Sequence, residues 1–282
     1  MGSLTAEKPK RSNSKNPKLK QKPLGPKRAK TKLKSKKKKR DKNEAELIQN
    51  IQSSHENNEE AHPASAAKRP LCFFLDQFQS ANGVQLSSLE LESIKDTSIV
   101  ELSQDATQDV LNLGKHMKAA FGSSWKEELC GKQLSEGKVN PGCPALLIVS
   151  SSALRSIELL RGFRSLTKDC HAVKLFSKHM KVEEQVSLLK NRVNIACGTP
   201  SRIKKLIDIE ALGLSRLAVI LLDIHPDVKG YSLFTLPQVR DEFWDLYKYY
   251  FHPLLLQGNL RICLYGPLQS VTELKGRKRG SS

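Results

Sequence analysis

From residue 144 onward, short apolar runs alternate with segments of helical periodicity, and this alternation limits the fold more than any other feature of the chain. Ala145–Val149, His171–Phe176, Val193–Cys197, Leu217–Leu222 and Leu260–Tyr265 all have strand length. Strands of this kind need cover on both faces, which is the condition of a parallel sheet between helices. The intervening segments supply the cover. Leu154, Ile157, Leu160 and Phe163 recur at helical spacing, as do Val182, Val186 and Leu189. Pro200 to Ile209 places Ile203, Leu206 and Ile207 on one helical face. Val239, Phe243, Leu246, Tyr247 and Tyr250 mark a longer amphipathic helix, expected to end near His252-Pro253 because proline cannot continue it. The expected class is therefore α/β: a parallel sheet flanked by helices, binding its ligands at the carboxyl ends of the strands.

The residues ahead of this region divide by charge. Residues 1–43 carry 18 Lys/Arg against only Glu7 and Asp41, whereas the whole chain has a net charge of +18, so the remainder is nearly neutral. Like-charge repulsion, with Pro9, Pro17, Pro23 and Pro26, predicts a disordered basic arm that attracts polyanions. Its densest block, Lys36-Lys37-Lys38-Lys39-Arg40, has the character of a nuclear-import or nucleic-acid patch; a merely solubilising tail is the alternative. Residues 44–70 read as an acidic and polar linker, with a short helix around Leu47, Ile48 and Ile51. The folded domain is expected over 71–270, followed by a basic tail over 271–282. Within it, residues 71–135 are mixed, and Val110, Leu111, Met117, Phe121 and Trp125 form one face of a helical region.

Several classes fall away. No apolar run approaches the roughly 18 residues of a membrane span, and the N-terminus lacks the apolar core of a secretory signal. Cys72, Cys130, Cys143, Cys170, Cys197 and Cys263 are scattered, with no CxxC pair. That pattern predicts neither a zinc site nor a disulfide framework, and most of the six sit beside apolar residues, which suits reduced, buried thiols. There is no GxxxxGK[ST]: Gly114-Lys115-His116 and Gly131-Lys132-Gln133 lack the upstream glycine and the hydroxyl that holds Mg²⁺. There is no GxSxG elbow and no His/Cys metal cluster, so no metal or cofactor is expected. His225 and His252 each precede a proline and read as turn residues.

Three strand ends carry local signals, each with two readings. Gly198-Thr199-Pro200-Ser201-Arg202 closes a strand and opens a helix, with Thr199 suited to the N-cap and Pro200 to the first helical position. Free amides and the helix dipole favour an anion there, and Arg202 adds a charge; the other reading is an ordinary capped helix with Arg202 solvated. Asp223, at the end of Leu217–Leu222, either holds Mg²⁺ or caps the next turn. Ser150-Ser151-Ser152-Ala153-Leu154-Arg155 either faces phosphates, through Ser151 and Arg155, or caps a helix.

The order of these signals resembles the first RecA-like domain of DEAD-box RNA helicases. Ser150–Arg155 sits where those enzymes have PTREL, and Gly198–Arg202 resembles GTPGR with Ser201 replacing Gly. Leu222-Asp223-Ile224-His225 takes the DEAD position, 24 residues beyond Thr199, and Tyr265-Gly266-Pro267 the SAT position. The P-loop is missing, Ile224 replaces the catalytic Glu, and no second RecA-like domain follows. A narrower resemblance is to the Cms-one-like subunits of the 90S pre-ribosomal complex, carried by Gly122–Trp125, Pro144–Arg155, Phe176–Pro200 and Leu217–Asp227. It implies a RecA-like (P-loop NTPase-like) domain without its P-loop, acting as a non-catalytic RNA-binding or scaffold factor in small-subunit ribosome assembly. The implied partners are pre-rRNA or small nucleolar RNA (U-three) and pre-ribosomal proteins, in the nucleus and nucleolus. The RNA-contacting candidates are then Thr199, Ser201, Arg202, Arg155 and Ser151. An active ATP-dependent RNA helicase and a DNA or chromatin binder are the alternatives, because phosphate attraction by the arm does not separate RNA from DNA.

Overall fold

The computed structural model describes residues 68–268, apart from 104, 131–139, 165 and 167–169. The basic arm, the helix expected around Leu47 and the C-terminal tail lie outside the described residues.

Five strands form one parallel sheet: β1 (Leu146–Val149), β2 (Ala172–Leu175), β3 (Ile195–Gly198), β4 (Val219–Asp223) and β5 (Arg261–Tyr265), in the order β2-β3-β1-β4-β5. All five runs expected from the sequence are present, as the α/β class requires. β1, β3 and β4 are buried along their whole length. Their side chains alternate between two cores. Leu147, Val149, Ala196, Ile220, Leu222 and Ile262 face one side, and Leu146, Ile148, Ile195, Cys197, Val219, Leu221 and Cys263 the other. Burial pushes the Cys263 thiol up to about 12, which leaves it an unreactive apolar group.

The first core is covered by α1 (Lys68–Asn82), which precedes α2 (Ser88–Ser93), and by helices that follow later in the chain. α3 (Leu113–Phe121), α4 (Trp125–Cys130) and α5 (Ala153–Gly162) cover the second. α6 (Val182–Leu189), α7 (Pro200–Asp208), α8 (Pro237–Leu246) and α9 (His252–Leu256) return to the first. α1 starts three residues ahead of the domain boundary expected at 71. It docks through Phe74 and Phe78, whose rings each lie 5.0 Å edge-on from Tyr247. Of the helical face expected in 71–135, Met117 and Phe121 are buried, whereas Leu111 precedes α3 and is 86% exposed.

Two expectations are corrected. The long helix does not end at His252-Pro253. Tyr247–Phe251 forms a π turn, in which the His252 N–H donates to the Tyr247 carbonyl, and α9 follows with Pro253 in its first turn. There a missing N–H costs no internal helical bond. The cysteines are also not all reduced: Cys130 and Cys170 are bonded, with Cα atoms 5.1 Å apart. The end of α4 and the turn before β2 converge only through the sheet, a proximity hidden by a sequence separation of 40.

The edge of β2 is closed by one buried side chain. The Gln185 amide on α6 donates to the Lys174 and Phe176 carbonyls, each at 3.0 Å, and so blocks pairing by another strand.

Candidate nucleic-acid interface

Register aligns the carboxyl ends of the strands. Val149 pairs with Gly198 on one side and Leu222 on the other, and Asp223 pairs with Tyr265. Ser150, Thr199, Asp223 and Gly266 therefore follow or close neighbouring strands along one edge. Gly198 is required there: a Cβ would lie 1.9 Å from the Leu175 carbonyl oxygen. Gly266, with φ of 130°, has His225 against it, and a Cβ would meet the His225 amide nitrogen at 2.8 Å.

Asp223 lies at the centre of this edge, with its side chain 1% exposed. Arg155 grips it with two bonds, Nε to Oδ2 at 2.8 Å and Nη2 to Oδ1 at 2.9 Å. His225 adds its Nδ1, 2.8 Å from Oδ1. The hydrogen bonds and charge of Asp223 raise the Arg155 pKa against the opposing effect of burial. A carboxylate so neutralised has little charge left for a divalent cation. The serines before Arg155 are used locally: Ser152 Oγ accepts the Arg155 N–H, and the buried Ser150 and Ser156 hydroxyls share a 2.7 Å bond. Ser151 between them is half-buried.

At the second strand end, Pro200 takes the first helical position, and Thr199 the N-cap position without a side-chain capping bond. Ser201 is exposed. Arg202 turns back onto the protein: Nη1 donates to Gln185 Oε1 at 2.7 Å and to the Met180 carbonyl at 3.1 Å. The five site residues expected from the sequence thus lie on two adjacent strand ends. Ser151, Thr199 and Ser201 are left toward solvent, and Arg155 and Arg202 are tied inward.

A third feature went unread in the sequence. Ile99 pairs with Ile262 as a single parallel bridge beside β5, residues 105–112 form a loop, and α3 begins with Leu113-Gly114-Lys115-His116. This is the strand-loop-helix frame of a P-loop. The loop lies down on the sheet edge instead of opening as a cradle. The Tyr265 hydroxyl donates to the Asp109 carbonyl at 2.6 Å, and the Gly266 N–H to Gln108 Oε1 at 2.8 Å. Two amides just ahead of the helix are also taken: Asp109 Oδ1 accepts the Leu111 and Asn112 N–H groups, each at 2.9 Å. Those bonds, and foremost one from the Thr107 hydroxyl, hold the Asp109 carboxyl below the usual range. The chain's own carboxylate stands where a phosphate would need donors. The Gly-Lys pair was visible in the sequence, but a one-bridge edge strand leaves no periodic signal.

Among the described residues, no group of three or more His, Cys, Asp or Glu is placed to hold a metal, and no helix is long and apolar enough to cross a membrane.

Comparison with known proteins gives a match to one family over residues 5–265, described as CMS1: U3-containing 90S pre-ribosomal complex subunit. The chain belongs to the CMS1 family. The family description carries the ribosome-assembly role that the resemblance implied. Among CMS1 relatives, Protein CMSS1 of Xenopus laevis is 33% identical over 153 residues, 53% of this chain and 55% of that protein. Human Protein CMSS1 is 37% identical over 128 residues, 44% of this chain and 46% of that protein. The chain thus spans about half the length of these relatives. A solved DEAD box protein from Methanococcus jannaschii has a TM-score of 0.34 at 17% identity, over 71% of this chain and 52% of that one.

Proposed function

We propose that this CMS1-family chain is a non-catalytic RNA-binding and scaffold factor in small-subunit ribosome assembly, working in the nucleus and nucleolus. The observation that carries this reading is the Arg155–Asp223 pair: the carboxylate at the DEAD position is gripped by a guanidinium. The Asp109 loop, lying over the end of β5, supports the same reading.

On this proposal the arm supplies sequence-independent attraction for pre-rRNA or a small nucleolar RNA, and Lys36–Arg40 directs nuclear accumulation. Ser151, Thr199 and Ser201 present hydroxyls at the sheet edge, and pre-ribosomal proteins complete the assembly. Purified protein with single-stranded RNA, ATP and Mg²⁺ is expected to bind RNA without releasing phosphate above background. Turnover that Asp223→Ala abolishes would instead make it an active helicase. Equal crosslinking to DNA and RNA in cells would favour the chromatin-binding alternative. A fluorescent fusion lacking residues 1–43 is expected to shift toward the cytoplasm.

A further inference from the structure

We infer that the backbone edge beside β5, Ile99–Glu101, is a docking site for an extended, lysine-bearing segment of a partner protein, which adds there as a further strand of the sheet. The inference rests on the scaffold part of the proposed function, not on RNA binding, and goes beyond it by naming a surface and the chemistry of its partner.

The edge is open. At the opposite edge of the sheet the Gln185 amide occupies the Lys174 and Phe176 carbonyls. Beside β5 the pairing is a single bridge, Ile99 to Ile262, in which the Val100 N–H donates to the Ile262 carbonyl at 2.7 Å. Ile99 is extended, with φ of −111° and ψ of 140°. Side chains alternate as in a strand: Ile99 is buried in the first core and Val100 in the second, and Glu101 is exposed. Because Val100 turns its N–H inward, the Ile99 carbonyl and the Glu101 N–H turn outward. Among the described residues neither has a hydrogen-bond partner. An incoming backbone meets both at once, donating to Ile99 and accepting from Glu101.

The edge also has room. A groove of about 400 Å³ opens beside it, lined by Ile99, Glu101, Ala119, Ala120 and Arg261 among others. The Arg261 guanidinium donates to the Ala120 carbonyl at 2.9 Å and so fixes the end of α3 as the far wall. Small side chains at 119 and 120 leave space for those of an added strand, which stand out from the sheet at alternate positions.

Charge selects the occupant. Residues 83–112 hold six Asp/Glu against Lys95 alone. Asp96 and Glu101 line the groove itself. Such surroundings repel a nucleic-acid backbone. They also disfavour a second copy of this edge, because self-pairing would bring the same carboxylates together. Lysines at alternate positions of an added strand complement them.

The test uses the full-length protein and three labelled heptapeptides: alternating lysine and valine, alternating glutamate and valine, and the lysine peptide with proline at its centre. The lysine–valine peptide is expected to bind in fluorescence anisotropy and to slow hydrogen exchange of the Glu101 amide. Its proline counterpart keeps the charge, loses a ladder N–H, and should bind about tenfold more weakly. Glu101→Pro removes the outward N–H and should lower affinity about tenfold, whereas Glu101→Gln keeps it and should lower affinity only about threefold. Ala119→Trp fills the groove from an exposed position of α3 and should abolish binding with an unchanged thermal melt, which keeps the test decisive if Glu101→Pro fails to fold. Equal binding of the two lysine peptides would reduce the interaction to bulk charge and overturn the site. Preference for the glutamate peptide, or binding of none, would overturn it too. Self-association in sedimentation that Ala119→Trp abolishes would give the edge to a second copy instead. Affinity for a uridine oligonucleotide, measured alongside, should be the same in every variant; a loss in Ala119→Trp would assign the edge to RNA and overturn the inference. Peptide failure with RNA binding intact sinks the site alone, and absence of RNA binding in the unaltered protein counts against the RNA-binding reading and not against the edge.

Discussion

Arg155 and Asp223, 68 residues apart in the chain, meet as a two-pronged ion pair at the carboxyl edge of the sheet, with bonds of 2.8 and 2.9 Å. The pair converts a position suited to a metal-binding carboxylate into a lock between α5 and β4. Arg155→Ala leaves the buried Asp223 with His225 alone at 2.8 Å and no guanidinium, and should lower unfolding stability by about 3 kcal/mol in a urea titration. Arg155→Met combined with Asp223→Leu removes both charges and should recover most of that loss. If the double variant is as unstable as the single one, charge neutralisation is not what the pair supplies.

Gly198 sets the spacing of β2 and β3. Its missing Cβ is where the Leu175 carbonyl oxygen sits, 1.9 Å away, and both neighbours are backbone within the sheet. Gly198→Ala should cost about 3 kcal/mol, seen as a lower denaturation midpoint. Ser201→Ala, at an exposed position of α7, should change the midpoint by less than about 0.5 kcal/mol.

Arg216 works as a carbonyl clamp. Nη1 donates to Cys143 and Val193, and Nη2 to Glu128 and Leu129, so one guanidinium closes the end of α4 against the start of two strands. Burial lowers its pKa. Arg216→Ala should destabilise by about 2 kcal/mol and speed amide exchange in α4 before the rest of the domain. Arg216→Lys should restore only part, because an ammonium lacks the planar fork.

His252 predicts a pH dependence. Burial lowers its pKa below 6.5, opposed by Glu90, whose carboxylate lies 3.7 Å from Nε2. The unfolded chain therefore binds the proton more readily than the folded one. Stability associated with the neutral ring is complete above pH 6.5 and falls as pH drops through the lowered folded value. The urea midpoint should decline from pH 7.5 to 5.5, and the decline should be shallower in His252→Gln. An equal slope in both proteins would place the sensitivity on other groups.

Apolar patterning along the chain sets the layers. Runs apolar on both faces, separated by helical stripes, leave one economical solution, and β1 through β5 with α5 to α8 follow from it, because burial periodicity is a local property of the chain. The strand-end positions of Ser151, Thr199, Ser201 and Asp223 were legible for the same reason. What those positions face depends on long-range packing. The β2-β3-β1-β4-β5 order brings Arg155 to Asp223 and Arg202 to Gln185, across separations of 68 and 17 residues. It also lays the Asp109 loop on Tyr265, 156 residues away. Periodicity records which face is buried and not which distant side chain completes it, so Arg155 and Arg202 were legible as residues near strand ends, and the fold showed that their charges are directed onto Asp223 and Gln185.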